Sequence, residues 1–379
     1  MLKSLIQNIK IHHSFQRQSF SSTKPVNAVF MLNIGGPNSE EEIAPFLTRF
    51  LSDRTIIRIP FGLGPLIGKL RGPIKVKKQY KAIGGYSPLL KWTEKQGTML
   101  IESLNEKFKD ENENFVYYPA FRYGKPLYHE AINKCITEHQ NIKRIILFSQ
   151  FPQYSCTTSG NSIREALIYL ENAIVNDGSI KIKVIDRWYY NKRYIKTIAR
   201  LVQEALTANF PDKLEREQAL ILFTAHSLPY NFIAQGDPYA LEIGATADLV
   251  MEELGRINPY KLVWQSKVGF QTWMGPSTHV ALEALAKKNW QNLVLVPLGF
   301  TSDHLETLYE IDIEYMGLAK KLGFKKVARV KSLNDEKDFI EALSEIVEQN
   351  VKENKYECKN IRIKCFDCKF DACNKLGCH

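Results

Sequence analysis

Residues 302–315 read SDHLETLYEIDIEY, which brings Asp303, His304, Glu306, Glu310 and Glu314 into one short stretch. Carboxylate oxygens beside an imidazole form a ligand set for a divalent cation, and the same groups transfer protons near neutral pH. Glu306, Glu310 and Glu314 recur at four-residue spacing; on a helix this stacks like charges on one face, at roughly a few tenths of a kcal/mol per pair. A bound cation would offset that repulsion, and a solvated face would tolerate it. On pattern alone a solvated face accounts for Glu310 and Glu314. Leu305, Leu308, Ile311, Tyr315, Leu318 and Leu322 supply an apolar side, Asp303 and Glu306 have the spacing of a capping box, and Gly323 provides a stop. His304 and Glu306 stand apart because they fall in the first turn, directly after an apolar run.

His226 also follows an apolar run, in FTAHSLP. Its imidazole suits proton transfer at neutral pH, although a lone histidine at a strand end is more often a hydrogen-bonded structural residue. No acid or nucleophile at motif spacing makes it part of a hydrolytic triad. GGP at 35–37 lacks the glycine pattern of a dinucleotide site.

Near the end, CFDCKFDAC sets Cys365, Cys368 and Cys373 in a C-x2-C-x4-C array, with Cys358 and Cys378 outside it. Three thiolates this close can begin a zinc or an iron–sulfur site, each normally requiring four ligands, or remain an unligated reduced tail. Residues 54–78 carry seven bases and no acid among Ile, Leu and Phe, with four glycines and three prolines that break regular helix. Such a stretch fits an anionic lipid surface, where each base contributes about 1 kcal/mol. The alternative is a buried connector whose Lys and Arg snorkel outward.

These residues need a frame to bring them together. NAVFMLNIGG, ENFVYYPAFRYG, RIILFSQFPQYS, KVIDRW, ALILFTAHSLP, KLVWQSKVG and NLVLVPLGFTSD are near-continuous apolar runs, each followed by a turn and a stretch of helical period. That alternation predicts parallel sheets covered on both faces. The polar residues of interest gather where the runs end, and in open parallel sheets ligands bind outside the carboxyl ends of strands. The predicted fold is therefore α/β: two doubly wound, Rossmann-like (flavodoxin-like) parallel-sheet domains, a cleft between them and a cysteine-rich C-terminal extension. The expected division is 1–25 as a targeting segment, 26–180 as the first domain with a membrane-facing lip at 54–78, 181–350 as the second, and 351–379 as the tail.

The 379 residues carry a formal charge of +10, and the first acid is Glu40. Before it, Lys3, Lys10, Arg17 and Lys24 lie among serines and spaced apolar residues, the composition of a mitochondrial transit peptide or of an ordinary basic N-terminus. Taking those four from 51 bases leaves 47 against 41 acids, an excess of six. The partners this suggests are anionic substrates or lipids, and not nucleic acid. The longest apolar runs fall short of the roughly 18 residues a spanning helix requires. Five of seven cysteines lie in the last 22 residues, which suits a local metal site better than a secreted disulfide framework.

In order along the chain, LNIGGP, QYKAIGGYSPLLKWTEKQ, FRYGKP, FPQYSCTTSGNS, TAHSLP, WQSKVGFQTWMGP and GFTSDHLETLYEIDIEY closely resemble the ferrochelatase family. The resemblance implies a lyase that inserts Fe(II) into protoporphyrin IX with release of two protons, the last step of haem synthesis. It further implies that His226 and Glu306 are the catalytic pair across the macrocycle and that Asp303, His304, Glu310 and Glu314 form an acidic path for the metal. Met31, Arg71, Ser87, Arg122, Tyr123 and Trp273 would contact the porphyrin. The tail resembles that of family members carrying a [2Fe–2S] cluster, whose ligands here would be Cys156, Cys365, Cys368 and Cys373. A homodimer on the matrix side of the mitochondrial inner membrane completes the expectation. Two neighbouring readings are a non-catalytic haem carrier, which would not need both His226 and Glu306, and a chelatase for another tetrapyrrole or metal.

Overall fold

The computed structural model describes residues 24–53, 64–70, 72–173, 179–267 and 271–353. The N-terminal segment to residue 23, positions 54–63 of the expected lip, Arg71, and the tail cysteines from Cys358 onward lie outside the described residues.

Among the described residues, eight strands build two sheets: β1 Val26–Asn33, β2 Asn114–Phe121, β3 Ile142–Ser149, β4 Lys181–Ile185, β5 Leu220–His226, β6 Tyr260–Gln265, β7 Asn292–Pro297 and β8 Lys326–Arg329. Every pairing is parallel, and the orders β2-β1-β3-β4 and β6-β5-β7-β8 repeat one topology. Each half begins on an inner strand, crosses to one edge, then returns to the other side. The switch points therefore lie between β1 and β3 and between β5 and β7, where crossovers depart in opposite directions and leave a crevice. All residues of β1 and of β7 are buried, as expected for strands covered on both faces.

The two halves share one hydrophobic core. Val29, Met31 and Phe148 of the first sheet join Phe223, Val294 and Val296 of the second through Trp188, Tyr194 and Phe339. Strand β4 pairs with β3 from Arg144↔Lys181 to Phe148↔Ile185 and so completes the first sheet. The chain also returns at its end. Helix Lys337–Lys352 packs on helix Leu89–Lys107 and on β4, with Ser103 Oγ donating to Glu341 at 2.9 Å and Asn350 Nδ2 to the Val184 carbonyl at 3.3 Å. Strand β8 escaped the sequence reading because it is a four-residue edge strand with two basic residues and no apolar run.

Candidate functional site

Helix Glu306–Tyr315 forms directly after the loop that leaves β7, and it is wider than an α-helix: the Met316 amide reaches back five residues to the Ile311 carbonyl. The capping box expected from Asp303 and Glu306 is replaced by other bonds. Asp303 accepts from Thr307 Oγ1 at 2.9 Å, Ser332 Oγ at 2.7 Å and Asn334 Nδ2 at 2.8 Å, while Glu306 turns into the crevice. The physical reason is competition. A buried carboxylate takes the nearest strong donors, and Arg329, 3.1 Å away, outbids a backbone amide.

The crevice holds a cavity of about 230 Å³ between the carboxyl ends of the two sheets. From the second half come His226 at the end of β5, Trp273, His304 and Glu306; from the first come Asn33, Ser87, Gln150 and the Ser155–Thr158 turn, with Phe46, Phe50 and Leu89 among them. One wall carries ionisable groups and the facing wall neutral donors and apolar rings. The neutral wall from the first half depends on close backbone approach. Gly35 has φ +76°, and a Cβ there would stand 2.8 Å from the Gly124 Cα, so the LNIGGP turn admits only glycine at that position.

Glu306 sits between two imidazoles, Oε1 3.6 Å from His226 Nε2 and Oε2 3.5 Å from His304 Nε2. His226 Nδ1 lies 2.5 Å from the Ser227 carbonyl and His304 Nδ1 3.0 Å from the Ser302 carbonyl. A carbonyl can only accept, so both rings carry hydrogen on Nδ1 and turn Nε2 toward Glu306. Burial alone would push the Glu306 carboxyl up, yet the electrostatic pull of the neighbouring His226 ring and the bond and charge of His304 hold it below the usual range. Burial likewise opposes the His304 imidazolium, but its bond to Glu306 and that residue's charge raise it overall. The triangle thus keeps an anionic carboxylate in a largely apolar cavity.

Glu310 stands behind Glu306, accepting from Ser266 Oγ at 2.5 Å and Gln265 Nε2 at 3.0 Å. Burial, then the charge of Glu306, pushes it up to about 7. Glu314 is exposed one turn farther on.

Of the other residues singled out in the sequence, Ser87 and Trp273 line the cavity, and the Trp273 ring centroid is 6.3 Å from that of His226. Met31 does not line it: the side chain is fully buried in the shared core. Tyr123 and Arg122 also lie off the cavity wall. Both donate to Asp53, at 2.7 and 2.9 Å, Arg122 pairs with Glu165 at 3.1 Å, and the Tyr123 ring meets Phe50 edge-on at 5.3 Å. Arg71 lies outside the described residues. Gln96 was not predicted. Its Nε2 donates to Ser302 Oγ at 2.9 Å and to the Asn334 carbonyl at 2.8 Å, tying the first half to the loop that carries His304. A lone glutamine on an amphipathic helix gives no sequence signal for that task.

Cys156 is half-buried and opens the wide turn Cys156–Gly160, next to the cavity residues Ser155, Thr157 and Thr158. Its amide donates to Asp237 Oδ2 at 2.8 Å, and the same oxygen accepts from Ser155 Oγ at 2.9 Å. Backbone bonds thus fix the residue, and its thiol donates to Tyr154 Oη at 3.9 Å.

A sequence profile described as Ferrochelatase matches residues 26–351. "Ferrochelatase, mitochondrial" of Drosophila melanogaster is 40% identical over 362 residues, covering 94% of this chain and 92% of that protein. The Xenopus laevis protein of the same description is 41% identical, covering 93% and 85%, and the Homo sapiens one is 40% identical, covering 93% and 82%.

Proposed function

The chain belongs to the ferrochelatase family, and from that premise we propose that His226 and Glu306 carry the chemistry in the crevice. The protein inserts Fe(II) into protoporphyrin IX to give haem, with two protons released, and it acts in mitochondrial haem synthesis. Two pyrrole N–H bonds must break as the metal enters, so the site requires a base on one face of the ring and a negative group that draws the cation inward. His226 Nε2, a lone pair held toward the cavity, takes the pyrrole protons. Glu306, kept anionic by the two histidines, attracts the metal, and Glu310 behind it extends the acidic path. Trp273 and the phenylalanines grip the flat ring, and Ser87 donates to a propionate. The observation that carries this reading is the Glu306 carboxylate set 3.5–3.6 Å from two imidazoles inside an otherwise neutral cavity. Anaerobic mixing of the purified protein with Fe(II) and protoporphyrin IX tests it. The Soret band should shift to that of haem with turnover, and a stable unmetallated complex would instead favour a carrier.

The family resemblance further supports a homodimer on the matrix face of the inner membrane and a [2Fe–2S] cluster held by Cys156, Cys365, Cys368 and Cys373. No helix among the described residues is long and apolar enough to cross a membrane. Peripheral binding is favoured by Leu66 at 53%, Ile67 at 38% and Ile74 at 64% exposure, set among exposed Lys69, Lys75 and Lys78. Replacing those three lysines by glutamine should weaken co-sedimentation with anionic liposomes about a hundredfold at low salt, at ~1 kcal/mol per base. Unchanged binding would return this face to the role of a solvated surface.

A further inference from the structure

We propose that Arg329 is a positioning residue that ties the loop before the wide helix Glu306–Tyr315 to the last turn of that helix and thereby fixes Glu306 between its two histidines. Arg329 ends the edge strand β8 and lies off the cavity. Its Nη1 is 3.1 Å from Asp303 Oδ1, and its Nε is 2.6 Å from Asp312 Oδ1. Asp303 precedes the helix by three residues and Asp312 lies six residues into it, so one planar guanidinium spans more than a full turn. Asp303 is anchored again by Ser332 and Asn334 of the loop after β8, and its amide donates to Asn334 Oδ1 at 2.8 Å. Both acids thus hang from a rigid sheet edge.

The clamp answers a physical need. Backbone bonds reaching five residues are rare outside functional sites, and a wide turn persists only where its surroundings over-determine it. Tightening toward an α-helix would rotate Glu306 and Glu310 relative to His226, which β5 holds, and to His304, which the loop holds. Misplacing a reacting group by about 1 Å can cost on the order of a hundredfold in rate. Only arginine supplies two separated donors in a fixed fork; lysine, a point charge, can serve one acid at a time. Asp303, which the resemblance placed on the metal path, is here committed to holding the helix.

This inference rests on the reading of Glu306 as the metal-attracting carboxylate, and its test includes a measurement that needs no turnover. Arg329→Ala, Arg329→Lys, Asp312→Asn and the double variant Arg329→Ala/Asp312→Asn are compared with the unaltered full chain. Backbone hydrogen exchange is followed by mass spectrometry without substrate, and steady-state kinetics with Fe(II) and protoporphyrin IX. Exchange across 306–315 should rise at least tenfold in Arg329→Ala and in Asp312→Asn, and stay unchanged in Leu89–Lys107. The KM for metal should rise about tenfold while that for porphyrin stays within twofold. The double variant should be no worse than Arg329→Ala, and Arg329→Lys should recover only part of the loss. Unchanged exchange across 306–315, a parallel rise in both KM values, or additive losses in the double variant would overturn the clamp. If the unaltered chain shows no chelation, the reading of the cleft fails, while the exchange result still decides whether the clamp exists.

Discussion

His226→Ala and Glu306→Gln should each lower chelation by roughly 10²–10⁴-fold, the range for loss of a positioned general base, with the fold intact. Both side chains face the cavity and neither belongs to a core cluster, so their loss removes no packing of consequence. Glu306→Gln keeps the shape and removes the negative charge, leaving two imidazoles with no anion between them. His226→Ala leaves Glu306 paired to His304 but takes away the ring proposed to accept the pyrrole protons. Circular dichroism and porphyrin fluorescence quenching should show folded, substrate-binding protein in both. Near-normal turnover in either folded variant would sink the assignment. Glu314→Gln should cost much less, since that side chain is exposed beyond the cavity.

The carboxylates add a pH signature to the same experiment. Glu306 lies below the ordinary carboxylate range, so it stays ionised through neutral pH, whereas Glu310, raised to about 7, takes up its proton as pH falls through that value. A protonated Glu310 attracts a cation less. The metal KM should therefore rise as pH drops from 8 to 6, and Glu310→Gln should flatten that slope while holding KM near its acidic value. A raised carboxyl also stabilises the fold at pH values below its ordinary range and loses that contribution as pH climbs toward 7, so stability and metal uptake respond to pH in opposite directions.

The period and composition of the chain reveal the α/β fold because a strand covered on both faces leaves a run of apolar residues that survives any detail of packing. All seven such runs became strands, and the chemistry at their ends was visible for the same reason: His226 interrupts a run with a group too polar to belong to it. What escaped depends on contacts between distant residues. Arg329 and Gln96 are ordinary side chains on an edge strand and a helix, and their tasks exist only once the Ser302–Asn334 region folds against them. Asp303 misled in the opposite way. Its spacing to Glu306 satisfies a capping box, but a stronger cationic donor arrives from 26 residues away. The shared core likewise leaves no trace in period, because it forms between residues of both sheets.

Cys156→Ser should bleach the protein. On the ligand set implied by the resemblance, three thiolates come from Cys365, Cys368 and Cys373, outside the described residues, and the fourth is Cys156 beside the cavity. A zinc knuckle could be completed locally by Cys358, Cys378 or His379, so Cys156 is the position that separates the two accounts. Sulfide-bridged iron absorbs in the visible and a zinc thiolate does not. Anaerobically purified protein should be reddish brown, and Cys156→Ser should lose the colour, iron and acid-labile sulfide as fully as Cys368→Ser. The serine variant is a clean probe because Cys156 is held by its backbone: the amide bond to Asp237 survives the exchange, as do the Asp237 bonds to Ser155 Oγ and to the Tyr239 amide at 3.0 Å. Lost colour would then report a lost ligand and not a collapsed turn. Ligand binding to the folded state is folding free energy, so the melting temperature should fall in Cys156→Ser and Cys368→Ser together and stay level in Cys378→Ser. If Cys156→Ser keeps full iron and spectrum while Cys378→Ser loses both, the site is local to the tail and the crevice wall takes no part in it.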